Sequence, residues 1–139
     1  MRRDVRCLML SVSDEVAREI LALEEARKRL QIRETAREDF LTFVHHVYDG
    51  FIEGAHHKKI AAQFERLAVD HGARVIINLP PRHTKSEFAS YMLPAWLIGR
   101  NPALKIIQTT HTAELAVRFG RKVRNLMERK EYRDIFPEV

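Results

Sequence analysis

The stretch INLPPRHTKSEFAS, residues 77–90, limits what this chain can fold into more than any other. Pro80 and Pro81 have no backbone N–H, so the apolar run before them must stop there. A short basic turn of Arg82, His83 and Thr84 leads into Lys85 and Ser86, and the residues beyond read as helix. A Lys-Ser pair opening a helix is how a phosphate-binding loop ends. The motif G-x-x-x-x-G-K-[ST], however, places glycine where Leu79 and Thr84 stand here.

The pattern on either side gives that stretch its setting. RVIINL, residues 74–79, is short, β-branched and apolar, which predicts a buried strand. Residues 85–99 predict a helix, with Pro94 inside it expected to kink it or end it early. KIIQTT, residues 105–110, predicts a second strand. Thr112 is placed to cap a long helix with Leu115, Phe119, Val123, Leu126 and Met127 on one face. The final YRDIFPEV trails after it. Two strands joined by a helix are expected to be parallel with a right-handed crossover. The expected fold class is therefore α/β, an incomplete parallel sheet of P-loop NTPase-like order with a helical N-terminal prefix.

That prefix spans residues 1–72. Ser13 is expected to cap a first helix, in which Val16, Ile20, Leu23 and Leu30 make a thin apolar stripe. A T-x-x-E capping box at Thr35 and Glu38 predicts a second start. Behind it Phe40, Phe43, Val44 and Val47 should bury better than the first stripe. Gly50 and Gly54 break the pattern. A third helix is expected from about Ala55, with Ile60, Phe64, Leu67 and Ala68 on one face and Gly72 as C-terminal cap.

Composition narrows the classes of partner. Lys and Arg number 24 against 19 Asp and Glu, a formal net charge of +5. That tilts toward polyanions and is equally the signature of a solvated helical surface. Cys7 is the single cysteine, so an intrachain disulfide is excluded. No stretch approaches the roughly 20 apolar residues of a membrane span. The expected localisation is cytoplasmic.

In open α/β sheets, ligands sit beyond the carboxyl ends of strands, where residues 80–86 are expected. A helix start there offers free N–H groups and the positive end of its dipole to phosphate. Lys85 would reach the β- and γ-phosphates, and the Ser86 hydroxyl would sit on Mg²⁺. Thr84 in place of glycine leaves two alternatives: ordinary dihedrals, or strain stored at the site. With no donors on Pro80 and Pro81, the guanidinium fork of Arg82 is the expected substitute.

Residues 74–127 together resemble the N-terminal ATPase region of the large terminase subunit of tailed bacteriophages and prophages. In that family a strand ends in Pro-Pro-Arg-His, a variable residue, then Lys-Ser, matched here by Pro80, Pro81, Arg82, His83, Thr84, Lys85 and Ser86. PAWLIGRNP after the loop, QTTHTAELAVRFGRKVR beyond it, HHKKIAAQFERL before it and the closing YRDIFPEV are similar too. The resemblance covers roughly residues 38–139. It implies that residues 73–139 begin a P-loop-type ATPase domain that binds ATP and Mg²⁺ and drives double-stranded DNA into a procapsid. Implied partners are the terminase small subunit and the portal protein, with a homo-oligomeric ring and no membrane.

By the same resemblance, Lys85 contacts the phosphates and Ser86 the Mg²⁺. Arg82 senses or stabilises the γ-phosphate, and Pro81, His83 and Thr84 supply loop backbone. Gln63 is a candidate reader of the adenine edge, or an ordinary solvated glutamine. No apolar strand ending in paired acids follows Thr110, and the carboxylates of the C-terminal nuclease that the family carries are missing, so inefficient ATP turnover is expected of these residues alone. The alternatives are a prophage remnant acting only in binding or assembly, and a helicase-like translocase fragment.

Seven histidines raise the question of a metal. His45-His46 and His56-His57 are adjacent pairs whose side chains diverge on a helix instead of converging at i, i+4. His57 could line the nucleotide pocket, or sit on a polar surface or make an interhelix hydrogen bond. Arg118, Arg121, Lys122, Arg124, Arg129 and Lys130 make the last long helix basic, as a DNA-facing stripe or a solvated face.

Overall fold

A computed structural model describes residues 2–70 and 72–139, with side chains from residue 15 onward. Helices α1 (Arg2–Glu38), α2 (Phe40–Val47) and α3 (Ala55–Val69) occupy the first half. The second half holds α4 (Lys85–Glu87), a π-helical turn (Phe88–Met92), α5 (Leu93–Arg100), α6 (Ala113–Met127) and α7 (Lys130–Ile135). The chain divides into two units, residues 1–32 and 33–139.

The expected parallel sheet is overturned. No strand occurs among the described residues, and every regular element there is helical. Residues 74–79 and 105–110 lie in stretches without regular secondary structure, and no ladder joins them. The physical reason lies in pairing. β-Branched, apolar composition favours a half-buried pleated surface, but a strand also needs a neighbour, and an isolated pair is marginal. Here the helices fill the core instead. Along residues 73–79 partial burial alternates strictly with exposure, so that Ile77 and Leu79 pack against the core while Ile76 stays 88% exposed. Ile107 is 91% exposed.

In the first unit, Val16, Ile20, Leu21, Leu23 and Leu30 are all exposed, and an i, i+4 pair of Arg29 with Glu25 at 3.8 Å lies on the surface. Ser13 does not start the helix, because α1 begins at Arg2. The side chains of Ser13 and Cys7 lie outside the described residues.

The second unit is built on aromatic side chains. Phe40 meets Phe64, Phe88 and Trp96 edge-on at centroid separations of 5.2, 5.5 and 5.4 Å, the geometry the ring quadrupole favours. Phe43 extends the cluster to Tyr132 and Phe136. The closing segment is therefore no trailing end: α7 puts Tyr132 and Ile135 into the core. The two aromatic polar groups are both paired. Trp96 Nε1 donates to the Ala36 carbonyl at 3.0 Å, and the Tyr132 hydroxyl donates to the Ala95 carbonyl at 2.9 Å. Burial raises the Tyr132 pKa far above its ordinary value.

Caps explain where the helices begin. The expected start at Thr35 moves four residues on, because Asp39 rather than Thr35 caps α2, its carboxylate accepting the Thr42 N–H at 2.6 Å. Glu65 of α3 accepts the next free donor, the Phe40 N–H, at 3.0 Å. Thr112 caps α6 through the Leu115 N–H at 3.3 Å, and the buried Phe119 and Leu126 lie on the expected face. The α3 helix ends at Asp70, which accepts from the Gly72 N–H, so Gly72 is not its cap.

Pro94 acts through its missing N–H. That group would have bonded to the Ser90 carbonyl one turn back. Between them the helix widens into the π turn, and the Ser90 carbonyl instead accepts Gln108 Nε2 at 3.1 Å. Gln108 thereby ties the extended stretch 104–110 to the helix that follows the basic loop.

Candidate functional site

Residues 80–84 form a tight turn after which α4 starts at Lys85. The turn contains two non-glycine residues with positive φ, Arg82 at 65° and Thr84 at 55°. Thr84 is fully left-handed (φ 55°, ψ 9°), which is strongly disfavoured for a β-branched residue. Of the two alternatives the sequence left open, the loop has the strained one. Its backbone follows a left-handed path at the position where the phosphate-loop motif carries glycine.

A set of local hydrogen bonds maintains the strain. The Gly54 N–H donates to His57 Nδ1 at 2.9 Å, which leaves Nε2 as the protonated nitrogen of the neutral ring. His57 Nε2 then lies 2.6 Å from Thr84 Oγ1 and donates to it. The Thr84 hydroxyl passes its own hydrogen to the His83 carbonyl at 2.8 Å. His83 Nδ1 donates to the Pro81 carbonyl at 2.9 Å. Lys85 closes the turn from the other side, its Nζ reaching the Leu79 and Pro80 carbonyls at 3.2 and 3.4 Å. The prolines cannot donate, but their carbonyls accept.

Together Arg82, His83, Thr84, Lys85, Ser86 and Glu87 line a cavity of about 190 Å³. That is smaller than the roughly 300 Å³ at which pockets for whole organic ligands begin. Arg82 and Ser86 are exposed there, and Lys85 is half-buried. No side chain caps the start of α4, so its first N–H groups are available to a ligand. The one carboxylate in the lining, Glu87, is held by Lys122 of α6 at 2.6 Å, and that ammonium also lies 5.3 Å from the centre of the Tyr91 ring.

Gln63 is not brought to this place. It is exposed on α3, about 9 Å along the axis from His57 at 1.5 Å per residue, and does not line the cavity. His57, offered by the sequence as a pocket-lining, polar surface or interhelix hydrogen-bonding residue, bonds from α3 to the loop and does not itself line the cavity. It is 5% exposed and stacks on Phe88 at 4.9 Å. Burial, and next the charge of neighbouring His56, lower its pKa from the usual 6.5. The neutral ring is therefore favoured in the fold. Its stabilising contribution is present above pH 6.5 and is lost as pH falls through the lower folded value.

Among the basic residues of the last long helix, Lys122 is engaged with Glu87, and Arg124 pairs with Glu128 at 3.8 Å. Arg118 and Arg121 are exposed, whereas Arg129 and Lys130 lie beyond the end of α6, at the cap and first position of α7. No group of three or more metal-ligating side chains occurs among the described residues, and no helix there is long and apolar enough to cross a membrane. No known protein family, curated protein or solved structure matches the chain.

Proposed function

We propose that residues 80–86 bind the phosphates of Mg-ATP, and that the chain is the ATP-binding part of a DNA-packaging motor of the terminase large-subunit kind. The observation that carries the first half is the left-handed Thr84 immediately before Lys85 at an uncapped helix start. Holding a β-branched residue there costs roughly 1–3 kcal/mol, a cost that a purely structural turn could avoid with glycine. The resemblance of the Pro-Pro-Arg-His-x-Lys-Ser stretch and its flanks supports the second half.

In this reading the Lys85 ammonium leaves the Leu79 and Pro80 carbonyls for the phosphate oxygens, a better partner for a cation. Arg82 adds its guanidinium from the exposed rim, and the Ser86 hydroxyl would hold Mg²⁺. The metal supplies charge neutralisation of the phosphates when bound. Double-stranded DNA, the small subunit, the portal and a ring of copies are the partners that the resemblance adds. With Glu87 committed to Lys122, the lining offers no free carboxylate to orient water. The proposed activity of these residues is therefore binding, with turnover far below the roughly 1 s⁻¹ at the lower end of ordinary enzymes.

Titration of the chain with Mg-ATP, beside Lys85→Ala, tests the reading. At least tenfold weaker binding by the variant is expected. Equal affinity in both proteins would remove the loop from phosphate binding.

A further inference from the structure

We propose that His57 is a positioning residue of this loop: by donating from Nε2 to Thr84 Oγ1, the neutral imidazole holds Thr84 in the left-handed conformation that readies the loop for phosphate. The inference rests on the reading of residues 80–86 as a phosphate site, and adds to it the device that replaces the glycine.

Glycine adopts positive φ at little cost, whereas threonine must be held there. Thr84 is held by its side chain, and its carbonyl accepts the Phe88 N–H at 2.9 Å. Its hydroxyl accepts from His57 at 2.6 Å and donates to the His83 carbonyl at 2.8 Å, so both its hydrogen-bonding roles are used in one rotamer. The imidazole is itself fixed. Nδ1 takes the Gly54 N–H, and the ring packs against Phe51 and Phe88, each 4.9 Å away centre to centre and themselves 5.4 Å apart. The contact bridges 27 residues of sequence and joins α3 to the loop.

The direction of the bond makes the device sensitive to protons. A second proton can only go to Nδ1, which would expel the Gly54 N–H and set two donors against each other. The surroundings act on that proton from each side. His56 lies on the same helix with its ring 3.8 Å away, and His83 comes from the loop; both disfavour a charged His57. Glu53, from the segment before α3, favours it, but its carboxylate is already shared by His45 of α2 at 2.8 Å and Lys58 at 3.2 Å. Phe88 of the π turn and Phe51 contribute no charge.

The test uses Mg-ATP affinity of four proteins from pH 8 to 5.5: wild type, His57→Gln, His57→Phe, and His57→Phe with Thr84→Gly. In His57→Gln the side-chain amide nitrogen falls close to the histidine Nε2 position and carries a donor that does not titrate. At pH 8, His57→Phe is expected to bind about fivefold to tenfold more weakly than wild type, the value of one lost hydrogen bond. Adding Thr84→Gly should restore the affinity, because glycine needs no latch; that recovery also shows that the phenylalanine variant folds. The ratio of wild-type to His57→Gln affinity should fall as pH drops below 6.5. Titration of ATP itself is common to both proteins and cancels in that ratio.

A constant ratio across the range would overturn the proposal, as would wild-type affinity in His57→Phe or no recovery in the double variant. Those outcomes are separable from failure of the site itself. If Lys85→Ala loses affinity while His57→Phe does not, the loop binds phosphate without the latch. If Lys85→Ala binds like wild type, the phosphate site itself fails.

Discussion

The aromatic core and the basic loop are both assembled from residues distant in sequence, yet they are held in opposite ways. Around Phe40 and Trp96 the side chains are buried, and the two polar groups among the large rings reach carbonyl partners. No core residue there has positive φ, although Phe88 and Met92 come from the π turn. Around Thr84 the side chains are small or charged and partly exposed, and two residues have positive φ. Packing stabilises the first region. The second persists because a few directional bonds, from His57, His83 and Lys85, resist its relaxation. Strain of this kind is tolerated where the surrounding structure over-determines it, which is the usual situation at ligand sites.

Substitutions can break that contrast, beginning in the core. Trp96→Ala should cost about 3–5 kcal/mol of unfolding free energy, since it leaves a ring-sized void and orphans the Ala36 carbonyl. Urea denaturation measures it, and a loss below about 1 kcal/mol would mean that the cluster is not the core. Gly99→Ala comes next. A Cβ there would overlap the Phe136 ring, which is itself buried, so overpacking of about 1–3 kcal/mol is expected in the same assay.

Thr84→Gly should have the smallest effect, within about 1 kcal/mol of wild type. Relief of roughly 1–2 kcal/mol of left-handed strain is offset by losing the bond from His57, worth about 1 kcal/mol. A thermal shift of more than about 8 °C in either direction would show that one of those two terms is absent.

Much of the helical half was legible. The spacing of Phe40, Phe43, Val44 and Val47 marked a buried face because helical period and burial are both local to one element. Thr112 was legible as a cap for the same reason, its partner being three residues away. The start at Thr35 misled, because a T-x-x-E pattern is compatible with the interior of a helix that arrives from upstream. Asp39, four residues on, is where α1 gives way to α2. The sheet misled more deeply. Composition specifies that a segment suits an extended, half-buried course, and residues 73–79 do alternate in burial, but composition does not supply the neighbour that makes a strand.

At the loop, the order of residues alone specified where the apolar run must stop, that Lys85 and Ser86 open a helix, and that Thr84 stands where glycine is usual. Those are consequences of covalent structure and of neighbours a few residues apart. Tertiary structure decided the rest. The left-handed Thr84 depends on His57, 27 residues earlier, and the carbonyl freed by Pro94 depends on Gln108, 18 residues beyond Ser90. Hydrogen bonds over such distances form only once α3, the π turn and the extended stretch have packed, so no local pattern announces them.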